Sequence, residues 1–193
     1  LLIYTRDRAN IMNRRLLRRA APQRPCSGGG DSVTISVFLA DDHGVVREGL
    51  RAYLDAEPDI AVIGEAGNGR DAVERIMALQ PDVAVLDIAM PGLSGIKATE
   101  EIRRREAPSR VIILSMHATN EYVYRALQTG ASGFVAKDSA GKELVNAVRA
   151  VRAGHRYLSQ EISDQLVDDY VERRETGEDG SPVDALSERE LQI

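Results

Sequence analysis

The chain has 193 residues, 43% hydrophobic and 28% charged. That is the balance of a soluble globular protein able to bury a core without staples, as one domain plus extras or two small ones. Its one cysteine, Cys26, excludes an intrachain disulfide framework and a cysteine-rich zinc site, and no apolar run reaches the roughly 18 residues that span a membrane. The formal net charge of −5 argues against wholesale nucleic-acid binding.

The charge is unevenly spread. Residues 1–32 hold seven arginines and two acids, a surplus of +5 that leaves −10 for the remainder. They close on Pro25-Cys26-Ser27-Gly28-Gly29-Gly30, a turn-rich punctuation. Leu16-Leu17 is too short for a signal-peptide core, and Arg14-Arg15 lacks the apolar stretch of a twin-arginine signal. The segment 1–32 is therefore expected to be a disordered basic extension; a basic arm for nucleic acid or a membrane surface is the alternative. Position 1 is not methionine, which suggests a fragment or an alternative start.

A strand–helix rhythm follows. Val33–Leu39 reads as a strand ending in Asp41-Asp42, then a helix through Val45, Val46, Leu50, Tyr53 and Leu54. Ile60–Ile63 is the second strand, and Ala72, Val73, Ile76, Met77 and Leu79 mark the second helix, stopped by Pro81. The third strand, Asp82–Leu86, ends in Asp87; a helix over 94–105 comes next. Val111–Leu114 ends in Ser115, and a helix over 120–128 closes on Gly130 as C-cap. Gly133–Ala136 ends in Lys137, with a fifth helix over 141–151. Strands apolar on both faces alternating with helices predict an α/β fold with a parallel sheet covered on both sides. Beyond Gly154, residues 160–174 read as one more helix, amphipathic through Ile162, Leu166, Val167 and Tyr170. A polar linker follows, and Ser187 with Glu190 fits a capping box at a helix start.

The informative residues sit after the strands. Taken alone, Asp41-Asp42 reads as a helix N-cap. With Asp87, Ser115 and Lys137 also at strand carboxyl ends, five polar groups converge on one sheet edge. Carboxylates about 4 Å apart at an effective dielectric near 20 repel by about 4 kcal/mol per pair. Either their pKa values rise or a cation settles among them, and Mg²⁺ suits such oxygen ligands. Cation, ammonium and hydroxyl together suit a phosphoryl group carried on Asp87.

These stretches resemble bacterial two-component response regulators: Phe38-Leu39-Ala40-Asp41-Asp42-His43, Val85-Leu86-Asp87 through Gly92, Leu114-Ser115-Met116-His117, and Gly130 through Asp138. The details are similar to the NarL/FixJ type, and Leu186–Leu191 resembles the opening of its LuxR-type helix-turn-helix. The resemblance implies a flavodoxin-like receiver with a five-stranded parallel sheet in order 2-1-3-4-5 and five helices. With the composition and pattern read above, it divides the chain into a basic extension over 1–32, a receiver over 33–153, a helix and linker over 154–184, and the start of a DNA-binding domain over 185–193. Asp87 would accept phosphate from a sensor histidine kinase. Asp41, Asp42, Asp87 and the backbone carbonyl of Ala89 would hold Mg²⁺. Lys137 would pair with the phosphoryl oxygens, and Ser115 and Phe134 would be the switch pair.

Further expectations are a cytoplasmic location, transcriptional output by DNA binding, release of the effector or homodimerisation on phosphorylation, and no catalysis beyond turnover of Asp87's own phosphate. Residues 186–193 are too few to supply a recognition helix, so this chain alone is expected not to bind DNA specifically. His43 reads as a helix-start residue rather than a ligand, Arg103-Arg104-Arg105 as a solvated helix end, and His117 as a candidate influence on phosphoryl lifetime. Two rivals remain. A haloacid-dehalogenase-like phosphohydrolase needs a second acid where Ala89 stands. A stand-alone receiver acting by protein contact is disfavoured by Leu186–Leu191.

Overall fold

The computed structural model describes residues 34–116 and 119–176. The extension over 1–32, His117, most of the linker and the segment 185–193 lie outside the described residues.

Six strands form one parallel sheet: β1 (Ile35–Ala40), β2 (Ile60–Ala66), β3 (Val83–Asp87), β4 (Arg110–Ser115), β5 (Gly133–Ala136) and β6 (Tyr157–Leu158). Their order is β2-β1-β3-β4-β5-β6. The expected 2-1-3-4-5 core is present, but the five-strand expectation is corrected by β6. That strand has only two residues, too few for a period-2 pattern, and it pairs Tyr157 with Gly133 and Leu158 with Phe134.

The helices are α1 (Gly44–Asp55), α2 (Gly69–Leu79), α3 (Gly95–Arg104), α4 (Asn120–Thr129), α5 (Lys137–Arg152) and α6 (Gln160–Thr176), one more than the five expected of the receiver. Side-chain alternation along the strands sorts them into two layers. Val37, Leu39, Val83, Val85, Ile112, Leu114 and Val135 pack with Leu50 and Leu54 of α1 and Leu144, Ala147, Val148 and Val151 of α5. Phe38, Ala84, Leu86, Ile113 and Phe134 pack on the other face, against α2, α3, α4 and Ile162 of α6. Both faces are covered, which is why the strands read as continuous apolar runs.

Local signals set the helix ends. Asn68 caps α2 by accepting from the Asp71 N–H, and Ser94 caps α3. Gly130 closes α4 in the left-handed region at φ 100°, as its sequence position indicated. Three readings need correcting. Only Leu50 and Leu54 of the α1 set are buried, while Val45, Val46 and Tyr53 are exposed, because one stripe of this helix meets the sheet. In α6, Ile162 is buried and Leu166 half-buried, but Val167 and Tyr170 face solvent. The fifth helix also begins at Lys137 rather than 141, since β5 passes into α5 without a loop. Arg104 and Arg105 are exposed as expected, yet both pair with Glu101, and Arg105 reaches Glu74 on α2.

Candidate phosphoacceptor and metal site

The chain reverses direction across the sheet between β1 and β3: β2 lies on one side of β1 and β3 on the other. A crevice opens at the carboxyl ends of strands at such a point. Asp41, one residue past β1, and Asp87, the last residue of β3, stand there, each 1% exposed. Lys137 opens α5, and its Nζ lies 2.9 Å from Asp41 Oδ2 and 2.9 Å from Asp87 Oδ2. One ammonium is shared by two buried carboxylates.

The rest of the cluster is built from the β1–α1 loop. The His43 N–H donates to Asp41 Oδ1 at 2.8 Å. Asp41 therefore does not cap α1; His43 occupies the N-cap, with no side-chain capping bond. The His43 Nδ1 lies instead 2.8 Å from Asp42 Oδ1 and 3.3 Å from Asp41 Oδ1. Asp42 is about one-third exposed, facing solvent over the buried pair.

Ser115 ends β4 and is buried at 5% exposure, one register step past Leu114, the partner of Asp87. Phe134 is fully buried on β5, opposite Ile113 and in the same cluster as Ile162. The Ala89 backbone hydrogen-bonds the Asp87 carboxylate. The loop after β3 is held close by Gly95: a Cβ there would lie 2.3 Å from the Asp87 carbonyl oxygen, so only glycine lets α3 approach the end of β3.

Burial raises the Asp87 carboxyl above its usual range; Lys137 opposes this, Asp41 adds to it, and the Ala89 N–H opposes it. Burial alone would lower the Lys137 ammonium, but Asp41 and Asp87 outweigh it and hold it above the ordinary lysine value. The lysine stays charged while one carboxylate of the pair is disfavoured as an anion. A second cation would relieve that conflict.

The residues fit a divalent ion. Asp41, Asp42, His43 and Asp87 each offer a ligand atom, all within 4.8 Å of one another. Asp41 Oδ2 and Asp87 Oδ2 are buried against the shared Lys137 ammonium, and each oxygen keeps a second lone pair that a metal could use. Carboxylate oxygens are the donor set of Mg²⁺. Sequence reasoning assembled Asp41, Asp42, Asp87, Ser115 and Lys137 at this edge, but missed Arg47 and Glu65. Arg47 Nη1 donates to the Asp41 carbonyl at 2.6 Å, and its Nε donates to Glu65 Oε2 at 3.0 Å. No motif or period in the sequence marks that bridge.

The chain is similar to known proteins over most of its length. Residues 37–149 match the response regulator receiver domain family. Response regulator UvrY of Escherichia coli O6:H1 is 41% identical over 159 residues, covering 82% of this chain and 72% of that protein. Transcriptional regulatory protein LiaR of Bacillus subtilis is 37% identical, over 82% of this chain and 74% of that one. A solved LuxR-family response regulator from Aurantimonas sp. SI85-9A1 superposes with TM-score 0.69 at 37% identity, covering 72% of this chain and 99% of its own. The NarL signal receiver domain of Mycobacterium tuberculosis gives TM-score 0.62 at 42% identity, over 63% and 98%. Among the described residues no helix is long and apolar enough to cross a membrane. A flavodoxin-like sheet with this acidic crevice, and relatives of this kind, place the chain in the response regulator family, with a receiver domain of the NarL/LuxR type.

Proposed function

We propose that the chain is a phosphorylation-controlled switch for transcription, loaded at Asp87 by a sensor histidine kinase in the cytoplasm. The observation that carries this reading is the pair of buried carboxylates, Asp41 and Asp87, sharing Lys137 at the carboxyl edge of the sheet. An Asp87 carboxylate oxygen attacks phosphorus; the P–N bond to the kinase imidazole breaks, and its electron pair leaves with the imidazole. Asp41, Asp42, Asp87 and the Ala89 carbonyl would hold Mg²⁺, which when bound supplies charge neutralisation for the transferring group. Lys137 exchanges its contact with Asp87 for one with a phosphoryl oxygen. Ser115 donates its hydroxyl to another.

Transfer adds a charge of about −1.5 to −2 at the sheet edge. Movement of Ser115 opens room for Phe134, and Phe134 shares its cluster with Val123 of α4 and Ile162 of α6. That contact is the route by which the site would bias a two-state domain. The output is DNA binding, a reading supported by the resemblance of Leu186–Leu191 to the opening of a LuxR-type domain, with phosphorylation either freeing the effector or driving homodimerisation. A phosphohydrolase is disfavoured, because Ala89 stands where the second acid would be needed.

Incubation with acetyl phosphate and Mg²⁺, read by intact mass, tests the reading. One phosphoryl group should appear on the wild type, and none on Asp87→Ala or in EDTA. Labelling that persists in Asp87→Ala would sink the assignment.

A further inference from the structure

Asp41 and Asp42 are joined by one planar peptide group, so the orientation of that plane helps set the directions in which their side chains leave the backbone. The structure holds this plane from outside the crevice. Its oxygen, the Asp41 carbonyl, accepts from Arg47 Nη1 at 2.6 Å, while the Asp41 N–H of the preceding peptide donates to the Ala66 carbonyl of β2 at 3.1 Å. Arg47 is in turn fixed by its Nε donating to Glu65 Oε2 at 3.0 Å. Glu65 lies on β2 opposite Leu39 of β1; Arg51 grips its other carboxylate oxygen and Arg75 its backbone carbonyl. Arg47 and Glu65 are each about one-quarter exposed. The guanidinium is thus a rigid strut between the end of β2 and the peptide linking two acids.

We propose that Arg47, pinned by Glu65, is a positioning residue for the divalent-cation site: it fixes the Asp41–Asp42 peptide plane and so helps aim the two carboxylates as the ion requires. This rests on the site reading above. Lysine cannot replace it, because a flexible point charge cannot make two bonds from one rigid plane. The proposal also opposes simple electrostatics. Deleting a cation beside an acidic site should tighten divalent binding, whereas losing the strut should weaken it.

The test is calorimetric titration of Mg²⁺ into the full 193-residue chain and its variants, with thermal melting in EDTA confirming that each is folded. Arg47→Lys, Arg47→Ala and Glu65→Ala should raise the Mg²⁺ Kd by roughly ten- to a hundredfold, the scale of outer-shell metal partners. At saturating Mg²⁺, acetyl phosphate labelling of the variants should approach the wild-type rate. Arg149→Ala breaks an ion-pair group with Glu57 and Asp59 at the far edge and should leave the Kd unchanged. If Arg47→Ala does not fold, Arg47→Lys carries the test. Binding that stays equal or tightens in Arg47→Lys overturns the strut, as does an equal loss in Arg149→Ala. A wild type that binds no Mg²⁺ overturns the site reading, and the strut with it.

Discussion

Both edges of the sheet carry buried or half-buried acids, yet they are built to opposite purposes. At the amino edge, Asp82 Oδ2 accepts from the Ser36 N–H at 2.9 Å and from the Ser36 hydroxyl at 2.7 Å. Its Oδ1 lies 3.1 Å from Arg152 Nε, and its own N–H donates back to Ser36 Oγ at 2.9 Å. Arg149 similarly closes Asp59 and Glu57. At the carboxyl edge, Asp41 and Asp87 divide a single ammonium. A carboxylate whose oxygens are all matched stabilises the fold; two that share one cation leave charge in surplus for a ligand.

Variants at the two edges should therefore move stability in opposite directions. Asp82→Ala removes two hydrogen bonds to a charged acceptor and should destabilise by about 2–4 kcal/mol in urea denaturation, with acetyl phosphate labelling of the folded protein unaltered. Loss of labelling there would break the distinction between the edges.

Magnesium should sharpen it. At a hundredfold excess over its Kd, an ion binding only the folded state stabilises by about 2.7 kcal/mol. That gain should show as a rise in Tm for the wild type and Asp82→Ala, and vanish in Asp42→Asn.

Asp87→Asn should stabilise the metal-free protein at neutral pH by about 1–2 kcal/mol, because it removes a poorly matched buried anion. Burial holds the Asp87 carboxyl above its usual range, so the folded state binds that proton more tightly than the unfolded state. The group favours folding below that range and opposes it as pH rises through the raised value. The advantage of Asp87→Asn in Tm should accordingly shrink as pH falls into the carboxylate range. An advantage independent of pH would refute the burial argument.

The smallest effect belongs to the exposed end of α3. Arg104 and Arg105 hold Glu101 down to about 2 from 4.5. A depressed acid contributes above its unfolded value and loses that contribution as pH falls toward about 2. Glu101→Gln should give only a slight fall in Tm at neutral pH, reduced further by salt, since solvent screens such pairs.

Much of this architecture was legible in the sequence. The apolar runs ending in Asp41-Asp42, Asp87, Ser115 and Lys137 marked the edge where chemistry gathers, because in a parallel sheet the residues after the strands lie at one edge, and the resemblance they carry implied the strand order. The Gly130 helix end was equally local. What could not be read were features that depend on partners distant along the chain. Strand β6 has two residues and exists because β5 offers an open edge. The exposure of Val45 and Tyr53 depends on which stripe of α1 meets the sheet.

Sequence by itself therefore determined the kind of protein: alternating strands and helices, and which polar residues end the strands. Tertiary structure decided the rest. It set Asp41 and Asp87 on one lysine, and braced the Asp41–Asp42 peptide with Arg47 of α1, itself held by Glu65 of β2. Periodicity reports which face of an element is buried, but only packing brings together side chains far apart in the chain, and charge sharing is a property of those meetings.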